Sequence, residues 1–205
     1  MFSACRSLIS VDLTNCEILE AGTFNYCTKL PSINLPRCSY IGGGAFAYCN
    51  SLEYLDAPAC ISMGSTTSSG FVDTGGFFRD CYKLTSFNIP GFSSLTSLGT
   101  CLFRCCYSLS LPSLNLSKMT YIGREALAYC SVIAPSITSL DLPELEFLGS
   151  SAFAGSYEIS HISFPKLKTL GGNIMYTNMT PDLSHRILMP SVYLPQCQNL
   201  SYSAF

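Results

Sequence analysis

The chain has 205 residues, of which only 12% are charged, with a formal net charge of −2, a mean hydropathy of +0.31 and no tryptophan. That balance supplies no basic field for nucleic acid or an anionic membrane surface, and no apolar run approaches the roughly 18 residues of a membrane-spanning helix. Twelve cysteines are many for this length, and their spacing has to decide between a disulfide framework, metal or redox chemistry, and packing.

At the N-terminus, "MFSACRSLIS" lacks the basic start and long apolar centre of a signal peptide. It contains Phe2 and Cys5, the first copy of a Phe-x-x-Cys phrase that returns at Phe24/Cys27, Phe46/Cys49, Phe78/Cys81 and Phe103/Cys106. The phrase then degrades to Leu127/Cys130, Phe153/Ser156 and Met175/Asn178, and Phe205 begins one more. The interval is 22 residues at its tightest and 32 between Phe46 and Phe78. Self-similarity at such a period predicts stacked structural units. Within a unit, Ala45, Phe46, Cys49 and Leu52 fall at offsets that suit one face of a short helix or 3₁₀ turn.

An apolar-polar-apolar triplet comes next: "VDL", "INLP", "LDAP", "FNIP", "LNLS", "LDLP", "ISFP" and "VYLP". The alternation predicts a short strand with one buried face, closed by a proline that cannot donate to a ladder. A third phrase follows, as in "CSYIG", "MTYIG" and "LEFLG", and Gly42, Gly123 and Gly149 are expected to supply a left-handed turn between the two halves. Between the third and fourth units, "GSTTSSGFVDTGG" (Gly64 to Gly76) is a polar insertion expected to leave the stack as a loop, with Phe71 and Val72 either meeting a partner or tucking back. One unit cannot bury its apolar side alone, whereas stacked units can. Eight units at the usual strand spacing would make a sheet about 38 Å long.

The stretch "LPSINLPRCSYIGGGAFAYCNSLEYLDAP" resembles the BspA-like class of leucine-rich repeats, and the resemblance extends over essentially the whole chain. It implies an α/β-type repeat solenoid: a right-handed leucine-rich-repeat superhelix with a parallel β-sheet on one face and short helical or 3₁₀ turns and loops on the other. It further implies a place on a bacterial or protist surface, in adhesins, or in prophage tail or host-binding proteins, and it brings no catalytic motif. We therefore expect residues 1–205 to form a single solenoid of about eight units, a piece of a longer protein that carries the export signal and neighbouring domains.

Cys5, Cys16, Cys27, Cys38, Cys49 and Cys60 lie 11 residues apart because each unit holds two cysteine columns. Later occupants of the second column are Leu95, Met119, Leu145, Leu167 and Cys197, so the position accepts apolar packing groups, among which free Cys belongs. Disulfides between stacked coils are the rival reading, opposed by side chains that point in parallel. "CLFRCC" offers Cys101, Cys105 and Cys106, short of the four convergent ligands of a structural zinc. We expect no cofactor and no metal.

His161 and His185 are the only histidines, and neither a nucleophile elbow nor a phosphate-binding glycine loop is present. We expect no enzyme. The middle residues of the strand triplets should instead face solvent as a polar stripe: Asp12, Asn34, Asp56, Asn88, Asn115 and Asp141, flanked by Tyr54, Ser86 and His161. This stripe is the candidate surface for a protein or a glycan, since repeat proteins use extended curved faces for partners. The alternative is a structural spacer whose outward residues bind nothing and merely hydrogen-bond from unit to unit.

Overall fold

The computed structural model describes residues 2–66, 72–73, 76–109, 116–130, 139–155, 161–174 and 191–204. Among the positions singled out above, Phe71, Asn115, Ser156, Met175, Asn178, His185 and Phe205 lie outside the described residues.

Among the described residues six units contribute a triplet strand and eight a strand from the third phrase, and the strands of successive units pair in parallel. The triplets form one row: Ser32–Asn34, Tyr54–Asp56 and Ser86–Asn88 make one three-stranded sheet, and Ser139–Asp141, His161–Ser163 and Ser191–Tyr193 another. Register is in phase with the sequence repeat, so that Ile33 stands over Leu55 and Phe87, and Leu140 over Ile162 and Val192. The third phrase forms a second row. Ile18–Leu19, Tyr40–Ile41 and Ser62–Met63 pair in one sheet, and Ser97–Leu98, Tyr121–Ile122, Phe147–Leu148, Thr169–Leu170 and Asn199–Leu200 in a five-stranded one. The insertion adds an antiparallel pair, Ser65–Thr66 with Val72–Asp73. Two 3₁₀ segments, Pro90–Ser94 and Leu116–Lys118, are the helical elements among the described residues.

The Phe-x-x-Cys segments are not helices: of the expected short helix or 3₁₀ turn, only isolated turns are present. Ala45, Phe46, Cys49 and Leu52 are all buried as the offsets required. The backbone, however, alternates hands: Gly22 and Tyr26, Gly44 and Tyr48, and Gly76 and Asp80 take positive φ between 58° and 66°. Every second N–H then points at the next unit, as in Phe24 N to Ala45 O (2.9 Å), Tyr26 N to Ala47 O (2.9 Å) and Tyr48 N to Arg79 O (2.7 Å). A chain that gives these donors to its neighbour cannot also close the i to i−4 bonds of an α-helix. Only isolated i to i−3 turns remain, such as Cys49 N to Phe46 O at 3.1 Å. Three hydrogen-bonded rows therefore wrap one apolar interior.

That interior is a stack of aligned side chains. Phe2, Phe24, Phe46, Phe78 and Phe103 lie ring over ring with centroids 5.2, 5.9, 6.1 and 5.7 Å apart. Leu30, Ile33, Leu35, Ile41, Leu52 and Leu55 fill the space between the strand rows.

The recurrent glycine has a different role from the one expected. Gly42, Gly123 and Gly149 are not among the residues with positive φ. They are small because the neighbouring unit presses against them: a Cβ on Gly149 would sit 2.4 Å from Arg124 N and 2.6 Å from Gly123 C, and one on Gly42 2.3 Å from Ala21 N. The same glycines donate their N–H to the unit before, as in Gly149 N to Ile122 O at 2.7 Å. Gly149→Ala is accordingly expected to cost about 3 kcal/mol, because backbone on both sides must move. Gly22→Ala, whose Cβ meets nothing within 4 Å but whose φ is +66°, should cost nearer 1 kcal/mol. Urea melts of the two variants check this, and equal losses would contradict it.

Candidate functional site

The strand register brings most of the polar stripe together. Asn34, Asp56 and Asn88 occupy one row in adjacent strands, and Ser32, Tyr54 and Ser86 the row two residues earlier. Asn34, Tyr54, Ser86 and Asn88 are exposed and Asp56 is half-buried. Asn88 Nδ2 donates to Asp56 Oδ1 at 2.7 Å, so an amide-carboxylate rung links two units across this face. A second patch lies further along, where Asp141 pairs with Ser163 and Ser163 with Tyr193, and His161 with Ser139 and Ser191. Asp12 is exposed but outside any strand; its carboxylate accepts from Thr14 N (3.0 Å) and Thr14 Oγ1 (2.6 Å), which lowers its pKa. Among the described residues the stripe is thus two patches, with Asp12 joined to neither by a strand pairing.

His161 Nδ1 and Ser191 Oγ lie 2.6 Å apart across neighbouring strands. A serine beside an imidazole is one ingredient of acyl transfer. This pair stands on an exposed sheet, and the strand position facing Asp141 is Ser163 rather than His161. The contact matches the ladder that Asn88 and Asp56 form elsewhere, as do the ion pairs Lys166–Glu144 (2.7 Å) and Lys168–Glu146 (2.6 Å) one unit apart.

The cysteines are all free thiols, and nine are buried, with Cys16 and Cys197 half-buried and Cys5 exposed. Cys5 departs from the expected packing role. Among the described residues no group of three or more His, Cys, Asp or Glu side chains is placed to hold a metal ion. The first column has an added role that periodicity does not reveal. Cys27, Cys49, Cys81 and Cys106 each donate an S–H to a backbone carbonyl one unit back, those of Phe2, Phe24, Phe46 and Phe78, at 3.0–3.1 Å. The second column bonds within its own unit, Cys38 Sγ to Tyr40 O at 3.0 Å for example. Burial is the first cause that raises these thiols, Cys38 to about 11 and Cys49 to about 12, with Cys81 and Cys106 pushed well above the ordinary value. A thiol held protonated is a poor nucleophile, so these columns are structural.

A cluster that sequence reasoning missed lies on the turn segments. Asp80, only 5% exposed, accepts from Arg79 Nε at 3.1 Å and pairs with Arg104 Nη1 at 3.5 Å. Arg104 Nε in turn pairs with Glu125 at 2.7 Å, and Arg124 Nη2 with the same carboxylate at 2.9 Å. Tyr26 stacks on Tyr48 with centroids 4.2 Å apart, and the Arg79 guanidinium covers Tyr48 at 5.2 Å. Tyr26, Tyr48 and Asp80 share one column of the Phe-x-x-Cys phrase and Arg79 and Arg104 the column before it, whereas Arg124 and Glu125 fall just ahead of the phrase at Leu127, so the cluster mixes columns. The available signal is that charged residues enter those columns at Arg79, Asp80 and Arg104.

A family model described as a BspA type leucine rich repeat region matches this chain in six copies, over residues 1–71 and 74–182. Among solved structures, the chain is similar to a leucine-rich repeat protein from Bacteroides ovatus ATCC 8483, at 20% identity and a TM-score of 0.48, covering 83% of this chain and 45% of that one. It is also similar to a leucine rich cell surface protein from Faecalibacterium prausnitzii A2-165, at 16% identity and a TM-score of 0.47, covering 91% of this chain and 65% of that one. The chain therefore spans less than two thirds of the length of either protein. No curated protein matches it.

Proposed function

Because the chain belongs to the BspA-type leucine-rich repeat family, whose members are in general interaction and surface modules, we propose that it is a non-enzymatic binding module of a surface-associated or phage-tail-like protein. In this reading residues 1–205 are one right-handed solenoid of about eight units within a longer chain, and neighbouring domains of that chain connect it to its surface. Its polar strand face meets a protein or a glycan on another surface. The observation that carries the reading is the row Asn34, Asp56, Asn88 with Tyr54 and Ser86 beside it. A carboxylate, amides, a hydroxyl and an aromatic ring stand at strand spacing on a rigid, hydrogen-bonded sheet, where little side-chain entropy is lost on binding. Asp12, Asn115, Asp141 and His161 extend the proposed face. Among the described residues no helix is long and apolar enough to cross a membrane.

The second reading, a spacer with no ligand of its own, is favoured by the Asn88–Asp56 rung and the Lys–Glu pairs, which spend outward side chains on one another. Tyr54→Ala with Asn34→Ala separates the two, because neither residue is in that rung. Against immobilised mucin glycans and extracellular-matrix proteins, the double variant is expected to lose binding about tenfold or more while keeping its circular dichroism spectrum. If the wild-type chain binds none of these surfaces, or the variant binds equally well, the spacer reading takes its place. Ester hydrolysis that disappears in His161→Ala would overturn both.

A further inference from the structure

A second concave site lies away from the strand face, among the turn segments of four successive units. It is a cavity of about 290 Å³ lined by Asn25, Tyr48, Gly76, Arg79, Thr100 and Cys101, among others. Arg79 is held there from two sides: its plane rests on the Tyr48 ring and its Nε bonds Asp80. Among the described residues its two terminal nitrogens have no acceptor, and the side chain is 36% exposed. The surrounding cluster sets three guanidiniums, of Arg79, Arg104 and Arg124, against two carboxylates, of Asp80 and Glu125. One positive charge is therefore in surplus, on a chain whose formal net charge is −2. Asn25 contributes an amide whose Oδ1 is closed off from solvent and has no hydrogen-bond partner, a costly condition for a polar atom unless something supplies a donor. Gly76 keeps the hollow open, since a Cβ there would meet Arg79 Cβ at 3.2 Å.

We propose that this hollow binds a sugar acid, a single pyranose ring bearing a carboxylate. The carboxylate takes the paired terminal N–H groups of Arg79, the bidentate geometry for which a guanidinium is suited. The ring hydroxyls meet Thr100 Oγ1 and the Asn25 amide, which rotates to accept a hydroxyl proton on its unsatisfied oxygen. The volume sits at the lower limit for small-molecule sites, so it suits one ring rather than a polymer. An aliphatic acid alone would leave Asn25 and Thr100 unused, and a neutral sugar would leave Arg79 unanswered. The site does not depend on the strand face, because its residues come from the turn row.

Titration of the full chain with glucuronate, glucose and acetate, followed by ligand-observed NMR, tests this. Saturable binding of glucuronate is expected, with glucose and acetate each at least about tenfold weaker. Arg79→Gln should abolish the selectivity for glucuronate, and Asn25→Ala should weaken glucuronate without restoring acetate. The circular dichroism spectra of both variants are compared with wild type, and Asn25→Ala carries the test if Arg79→Gln does not fold. Tyr54→Ala on the strand face should leave the affinity unchanged, which separates this site from the proposed binding face. Acetate binding as tightly as glucuronate, no saturation by glucuronate, or loss of binding in Tyr54→Ala would each overturn the proposal.

Discussion

Titrated upward from neutral pH under reducing conditions, the protein is expected to keep its full stability to about pH 9 and to lose it progressively as pH rises further, ending in cooperative unfolding. The cause is the thiol column. In the unfolded chain a cysteine ionises around its ordinary value of 9.0, whereas Cys49 is held at about 12, and Cys81 and Cys106 well above 9.0. Burial is the leading cause at all three, since a thiolate inside the stack would be desolvated. The folded state therefore binds more protons than the unfolded state at pH above 9, and stability present below that pH is lost as pH rises through the folded values. Each protected thiol removes on the order of 1.4 kcal/mol per pH unit. By pH 11 Cys49 alone removes on the order of 3 kcal/mol, with Cys81 and Cys106 acting in the same direction, against a whole stability of about 5–15 kcal/mol for an ordinary domain. Most of the thiolate absorbance should appear with the loss of circular dichroism and not before it, and thiol reagents at neutral pH should modify few cysteines until denaturant is added. Cys49→Ala with Cys81→Ala should flatten the pH dependence. A transition at the same pH with the same steepness in that variant would transfer the effect to the tyrosines, of which Tyr48 and Tyr82 are also raised by burial.

Phe78→Ala is expected to be the most damaging single truncation, costing about 4 kcal/mol. Phe78 is fully buried and stacks on Phe46 (6.1 Å), Phe103 (5.7 Å) and Phe87 (5.2 Å), with Phe77 edge-on at 4.7 Å. Among the described residues no other phenylalanine of the column holds as many ring partners, because the unit of Phe78 brings Phe77 and Phe87 to it. Removing the ring opens a void at the centre of a stack in which each unit touches only its neighbours, so the interfaces on both sides weaken together. For a chain of this size the loss corresponds to roughly 8–16 °C in Tm. Calorimetry should also show the single transition broadening or splitting, as units on either side lose their coupling. A change in Tm within about 2 °C would mean that the phenylalanine stack is not where the stability resides.

The route from sequence to fold was short where the repeat speaks for itself. Ile33, Leu55 and Phe87 were legible as inward residues, and Asn34, Asp56 and Asn88 as their outward neighbours, because side chains of a strand alternate and the period carries the alternation from unit to unit. The free, buried state of most thiols followed from the same logic: a position that also takes Leu or Met is a packing position. The helical reading of the Phe-x-x-Cys turn failed for a specific reason. Burial at Ala45, Phe46, Cys49 and Leu52 is the same for a helix and for a chain of alternating hand, and what distinguishes them is where the N–H groups go. The glycine of the third phrase misled in the same way, since a residue needed for closeness and one needed for positive φ are both written Gly.

From the sequence alone come the unit, its length, the triplet strand, the inner and outer faces and the membership of most sulfur atoms in the core, whereas the second strand row of the third phrase was not read. These are periodic properties, and a period survives in one dimension. Tertiary structure decided the hand-alternating turn row, the S–H bonds from Cys27, Cys49, Cys81 and Cys106 to the unit before, the close backbone contact at Gly149, and the meeting of Tyr48 with Arg79 across an insertion. Each of these is set by how one coil seats on the next, and the partner lies 21 to 35 residues away in the sequence. Only the stacked backbone determines which atoms face each other at that distance.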